Sequence, residues 1–374
     1  MLDKRIGLLV LSIGNFGNKE FYNLQEVGLA KALSKFFKEI LIYKLVERSE
    51  QETTEIIDGY SNTALYLLPS KKIGSNGIPD VKKMDSSVDI LICFSDTQIM
   101  VPFVEKWCRK NSIKFIPYVG VSKSHSNKLI KRLLIDILFF RNLAIYRKNI
   151  CLAKTLSVSD SLRTMGVRNV LTAPIGLDID RLKRDYRIKD VSALKMKYGY
   201  LDTEKIILFI GRMTPEKQPE RMLRIFKQIH TSDQRFRLLM IGNGELSGKI
   251  CELIKENNLE AVVNRLDRIP NKDIWELYRI AEVFVNLNQQ EIFGMAILEA
   301  MYYGCNVVAW HAPGPDFIIE DGKSGYLAGN EEDIIKCILE KNRLNGHKRV
   351  MDSFTWKNTA KLIYECVKAE GTGA

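Results

Sequence analysis

The sequence predicts an α/β protein made of two doubly wound, Rossmann-like domains, and three observations carry that prediction. Its 374 residues exceed what one ordinary core holds and suit two. Short apolar runs alternate with longer mixed segments of helical character, the pattern of a parallel sheet covered on both faces. That alternation stops at a polar, charged stretch over residues 181–202 and then starts again.

In the first half, the apolar runs at 6–11, 40–45, 64–68, 88–94 and 114–119 read as buried strands, with a helical stretch over 21–37 after the first. A second sheet begins with Lys205-Ile206-Ile207-Leu208-Phe209-Ile210 running into Gly211. It continues at 236–241, 283–287 and 306–310, each run followed by a plausible helix. No solenoid-period repeat or low-complexity tract interrupts the pattern. Ligands of open parallel sheets bind outside the carboxyl ends of the strands, so the loops there are where chemistry is expected.

Composition narrows the class. Apolar residues make up 46% and charged residues 27%, and no tract approaches the roughly eighteen uninterrupted apolar positions a bilayer span needs. Lys4-Arg5 before Ile6-Gly7-Leu8-Leu9-Val10-Leu11 resembles the start of a secretory signal. The run is short and leads into Gly14-Asn15-Phe16-Gly17 without a cleavage pattern, so a first strand entering a glycine turn reads better. The seven cysteines are scattered, with no metal or redox spacing, and fit a reducing cytoplasm. A formal net charge of +11 implies a polyanionic partner: nucleic acid, an acidic membrane surface or a phosphorylated ligand.

Two segments of the second half carry the chemistry. Gly211-Arg212-Met213-Thr214-Pro215-Glu216-Lys217 follows a strand; glycine allows close backbone approach, and Arg212 and Lys217 can reach a diphosphate as a planar fork and a point charge. Taken alone, such a segment is more often only a structural turn with solvated charges. In Glu291-Ile292-Phe293-Gly294-Met295-Ala296-Ile297-Leu298-Glu299, two glutamates flank a glycine that opens a helix. A helix starting near Gly294 presents free N–H groups and a positive dipole end to phosphate, with Glu299 on its second turn and Glu291 in the preceding loop. The plain alternative is two surface glutamates that happen to share this spacing.

In order along one domain, these segments, with Gly242-Asn243-Gly244, Pro313-Gly314-Pro315-Asp316 and Asp321-Gly322-Lys323-Ser324-Gly325, resemble the family-four retaining glycosyltransferases of GT-B fold. Pro174-Ile175-Gly176-Leu177-Asp178 is similar to that family's interdomain segment, and Phe354-Thr355-Trp356 to the start of its final crossover helix. The resemblance is dense in the second half and thin in the first. It implies two domains facing a cleft: 1–182 for the acceptor, 183–355 for the nucleotide-sugar, and 356–374 as a crossover helix returning to the first. It also implies that Arg212 and Lys217 neutralise the departing diphosphate, that Glu299 holds the ribose and that Glu291 faces the sugar. Phosphate would meet amides near Phe293, Gly294 and Met295, and the base would lie near Arg268 and Ile269. Gly14, Gly17, Gly211, Gly242 and Asn243 complete the donor set. Ile292, in place of a small residue, and the separation of Gly14 from Gly17 depart from the family pattern.

Asp178-Ile179-Asp180 matches the metal-binding Asp-x-Asp signature formally, but its interdomain place reads as a turn and helix cap. No metal is expected, because cationic side chains and a helix end can balance the diphosphate. Of the four histidines, His125 alone follows a first-domain strand, where the family places an active-site histidine; a structural histidine is the competing reading.

From 123 to 148, seven basic residues stand against Asp136 alone, interleaved with Leu129, Ile130, Leu133, Leu134, Ile137, Leu138, Phe139 and Phe140. Such a segment reads as an interfacial helix on anionic lipid or, equally, as an amphipathic helix packed on its own sheet. The functional expectation is a cytoplasmic enzyme, peripheral on the inner face of the plasma membrane if that helix binds lipid. It would transfer a sugar from a UDP-sugar to a glycan or lipid-linked acceptor in surface polysaccharide or glycoconjugate synthesis. A nucleotide-sugar epimerase or hydrolase of the same fold is the first alternative. A basic nucleic-acid-binding protein is the second, although no stacking motif or recognised module accompanies the charge.

Overall fold

The computed structural model describes residues 1–13, 24–74, 76–95, 99–121, 129–182, 190–340, 342 and 344–371; for residues 129, 131, 132 and 371 it describes the backbone alone. The chain forms two compact units, Met1–Gly176 joined by Thr355–Ala374, and Leu177–Phe354. The first unit thus ends at Gly176, where the sequence placed the boundary at 182.

The first unit holds β1 (Leu2–Val10), β2 (Phe37–Glu47), β3 (Thr53–Ile56), β4 (Thr63–Ser70), a small ribbon of β5 (Lys72–Ile73) and β6 (Asn76–Gly77), then β7 (Ile90–Phe94), β8 (Lys114–Val119), β9 (Cys151–Ala153) and β10 (Val170–Thr172). Its main sheet runs β10-β9-β8-β7-β1-β2-β4-β3, parallel except for the β3–β4 pair. Around it lie α1 (Gln25–Leu33), α2 (Val101–Lys110), α3 (Leu129–Tyr146) and α4 (Leu156–Thr164). The inner strands read as unbroken apolar runs because helices cover both sheet faces; all five residues of β7 are buried.

The second unit begins with α5 (Val191–Lys197) and holds β11 (Lys205–Ile210), α6 (Pro219–Ser232), β12 (Phe236–Ile241), α7 (Ser247–Glu256), β13 (Val263–Leu266), α8 (Ile274–Ile280), β14 (Ala281–Asn286), α9 (Met295–Tyr302), β15 (Asn306–Trp310), α10 (Pro315–Ile318), β16 (Tyr326–Ala328), α11 (Glu331–Leu339) and α12 (Gly346–Ser353). Its sheet is wholly parallel, in the order β13-β12-β11-β14-β15-β16. Its core gathers Ile207, Phe209, Leu238, Met240, Val283 and Val285 from the strands with Met222, Phe226 and Ile250 from the helices.

The last helix, α13 (Trp356–Gly371), returns to the first unit, as expected. It packs on α1, where a Cβ on Gly28 would lie only 2.3 Å from the Trp356 indole nitrogen, so only glycine lets the ring approach this closely. Tyr364 stacks on Phe36 at 5.0 Å, and the Thr359 hydroxyl donates to the Pro174 carbonyl at 2.6 Å.

Candidate functional site

The order of strands in the second unit decides where a ligand can sit. From β11 the chain winds outward through β12 to β13, then returns to form β14 on the other side of β11. The loops after β11 and β14 therefore leave the sheet in opposite directions and open a crevice between them, the usual ligand position of a doubly wound sheet. Lys217 comes from the first of these loops and Glu291 from the second.

Backbone contacts fix the first loop. Gly211 N–H donates to the Ile241 carbonyl at 2.9 Å and Met213 N–H to the Asn243 carbonyl at 3.1 Å, tying the loop to Gly242-Asn243-Gly244 at the end of β12. Gly242 has φ +139°, and a Cβ there would fall 1.8 Å from the Gly211 oxygen, so this position admits only glycine. One turn over Pro215–Lys217 leads to Gln218, a left-handed residue (φ 56°) that is not glycine. Its side-chain amide donates to the Leu287 carbonyl at 2.7 Å, binding this loop to the one that follows β14.

Across the crevice, Lys217 Nζ lies 2.7 Å from Glu291 Oε2. The same oxygen accepts from the amides of Asn288 at 3.2 Å and Asn286 at 3.4 Å, both of which are buried. Glu291 is also held through its backbone: its N–H donates to the Asn288 carbonyl at 3.2 Å and its carbonyl accepts from Gly314 N–H at 2.8 Å. One carboxylate thus gathers three donors. Such a charge-assisted cluster is stiff, and a polyanion entering beside Lys217 would compete directly with Glu291 for the ammonium.

Helix α9 opens at Gly294, which has φ +103°. The start of this helix carries the positive end of its dipole. Glu299, one turn further on, is buried and accepts from the Tyr278 hydroxyl at 3.1 Å. Phe293 packs edge-on against Phe354 with ring centroids 6.4 Å apart.

The structure therefore brings Lys217, Glu291, Phe293, Gly294 and Met295 around the crevice, with Gly211, Gly242 and Asn243 as the floor of the adjoining loops. Arg212 stands apart from the pair: its side chain is 74% exposed and reaches Glu216 at 3.2 Å. Arg268 is exposed and Ile269 half-buried, just past the Leu266 carbonyl that accepts Gly242 N–H at 2.9 Å. Gly14, Gly17 and His125 lie outside the described residues. Asp178 sits in a turn, its carbonyl accepting Arg181 N–H at 3.1 Å. Sequence reasoning missed Asn286, Asn288, Gln218 and Tyr278. The available signal for the first two was Asn286-Leu287-Asn288 at a strand end, where a buried amide needs a partner.

Residues 190–344, most of this unit, match the family described as glycosyl transferases group 1. The second unit belongs to that family. Identity to curated relatives is low but extended. Alpha-monoglucosyldiacylglycerol synthase of Acholeplasma laidlawii is 26% identical over 167 residues, 44% of this chain and 42% of the relative. N-acetyl-alpha-D-glucosaminyl L-malate synthase of Bacillus anthracis is 30% identical over 145 residues, 39% and 37% of the two chains. The matched stretches thus span less than half the length of these relatives. Among solved structures, Anabaena HepE in complex with UDP and glucose is similar with a TM-score of 0.69 at 15% identity, over 98% of this chain and 100% of that one. Sucrose-phosphate synthase from Thermosynechococcus elongatus gives 0.72 at 16% identity, over 99% and 100%. At such identities the likeness concerns the fold, which is GT-B: two Rossmann-like sheets with a C-terminal helix docked on α1.

Proposed function

We propose that the chain is a retaining glycosyltransferase that takes a UDP-sugar and passes the hexosyl group to a glycan or lipid-linked acceptor without a metal ion. The observation that carries this reading is the Lys217–Glu291 pair, set by two loops at the strand-order reversal of a group 1 domain. When the bond between the anomeric carbon and the diphosphate oxygen breaks, negative charge grows on the diphosphate. Lys217 is the cation placed to meet it, with the first turn of α9 as a second source of positive potential. Arg212 adds a charge on a side chain free to swing from Glu216. Glu291, released from the ammonium by the entering diphosphate, keeps its two asparagine donors and turns its carboxylate to the sugar hydroxyls. Glu299, buried and oriented by Tyr278, accepts from the ribose hydroxyls.

Support for UDP comes from HepE, whose structure holds UDP and glucose. The two curated relatives are named for different products, a glucosyl diacylglycerol and a glucosaminyl malate, so the donor half of the reaction is better supported than the choice of acceptor.

The test incubates the chain with UDP-, GDP- and ADP-sugars and a panel of acceptors, with and without EDTA, and identifies the products. Conjugate formation from a UDP-sugar with the anomeric configuration kept, undiminished by EDTA, is the expected result. Free sugar without conjugate would mean a hydrolase. Loss of activity in EDTA that added magnesium restores would bring Asp178 and Asp180 back as ligands.

A further inference from the structure

Helix α3 has apolar residues at thirteen of its eighteen positions, more than one buried face uses. One side is covered. Phe139, Asn142, Leu143 and Tyr146 are buried, and the three apolar members of this set belong to the core of the first unit. The other side is bare. Ile130, Leu133, Leu134, Ile137 and Phe140 recur at steps of three and four, which places them in one stripe along the helix. All five are exposed, from 54% at Ile137 to 77% at Ile130. Exposed apolar residues scattered singly are ordinary on a protein surface; a continuous row of five large ones marks an interaction site.

In sequence the segment that contains this row is strongly basic: residues 123–148 include seven lysines and arginines and a single acid, Asp136. Arg141 continues the stripe one turn after Ile137, and Lys148 follows the end of the helix; both are exposed. The Arg141 guanidinium is anchored by the Ile99 carbonyl at 2.8 Å and that of Arg147 by the Met165 carbonyl at 2.7 Å, which holds these cations at the flank of the helix.

We infer that this face docks on an anionic membrane surface, α3 lying along the interface with its five apolar side chains in the acyl boundary and its cations among the phosphates. Charge decides the occupant. A second copy would lay the same basic flank against this one, with a net charge of +11 on each chain adding to the repulsion, whereas anionic lipid attracts both. Among the described residues no helix is long and apolar enough to cross a membrane, and α3 with its basic residues has the character of a helix that lies in the interface. The inference rests on the first unit alone and holds whichever reaction the second unit supports.

The test is sedimentation of the full chain with vesicles of phosphatidylcholine, or of phosphatidylcholine mixed with phosphatidylglycerol. Binding should be at least about tenfold tighter on the anionic vesicles and should weaken with salt. Leu134→Glu and Phe140→Glu should each lower it by about tenfold or more, and Lys148→Glu by about fivefold, with the melting temperature and UDP-induced stabilisation unchanged. Absence of vesicle binding by the natural chain overturns the proposal. So does equal affinity for neutral and anionic vesicles, or Glu variants that bind as tightly as the natural chain. A dimer in solution that Leu134→Glu dissociates would assign the stripe to a second copy instead.

Discussion

Lys217 and Arg212 stand on one loop and meet different surroundings. Lys217 is three-quarters covered and paired with a carboxylate that two buried amides hold in place; Arg212 projects into solvent beside Glu216. Lys217→Ala should therefore lower kcat by roughly a hundred- to thousandfold, the loss of about 2.7 to 4 kcal/mol typical of a group aimed at developing charge, while donor affinity changes less. Arg212→Ala should also reduce kcat, and Arg212→Lys should restore only part of it, because an ammonium keeps the charge but not the two-pronged contact. Steady-state kinetics on the three variants decides this, and near-normal turnover in both alanine variants with an intact fold would remove the diphosphate site from this loop. The charged members of the proposed site stood out in the sequence by their types and spacing, and the family resemblance suggested their roles. The amides of Asn286 and Asn288 were not. Their role depends on burial at the end of β14 and on which way the loop to Glu291 turns, and neither is visible in a linear pattern.

At the scale of the element, the strands buried on both faces were the easiest to read. The runs at 205–210, 236–241 and 306–310 coincide with β11, β12 and β15, because each is an apolar stretch bounded by polar or glycine residues. The strands of three or four residues, β3, β9, β10, β13 and β16, went unseen: so short a run shows no period, and Val263-Asn264-Arg265-Leu266 at a sheet edge mixes polar and apolar positions. The loops between strands depend instead on single backbone positions. Gly242→Ala would force a Cβ into a left-handed conformation and onto the Gly211 oxygen, so it should destabilise the second unit by more than about 1 kcal/mol and disturb the loop that carries Lys217. Gly248→Ala makes the control. It lies in α7 with nothing within 4 Å of a new Cβ, and should stabilise by about 0.4–1 kcal/mol. Denaturant titration of the two variants reads both signs, and an equal shift in the same direction would mean that the contact between the Gly211 and Gly242 loops is not what sets the geometry.

For the whole molecule, the sequence speaks unevenly: the family match covers residues 190–344, whereas the likeness to solved GT-B structures runs over nearly all of the chain. The two compact units, each with its own core, divide the chain a second way. This division has a thermodynamic consequence. Every described residue of the proposed donor site, from Gly211 to Glu299, lies within Leu177–Phe354, and each unit has a hydrophobic core of its own. Two cores allow two unfolding transitions, and a ligand stabilises only the unit whose folded form binds it. UDP at a hundred times its dissociation constant should stabilise the second unit by about 2.7 kcal/mol and leave the transition of the first where it was. Scanning calorimetry with and without UDP separates the cases, and assignment of the transitions follows from Gly242→Ala, which should lower only the one that UDP raises. If UDP moved both transitions by the same amount, binding would draw on residues of both units, and a donor site built from the second unit alone would have to be abandoned.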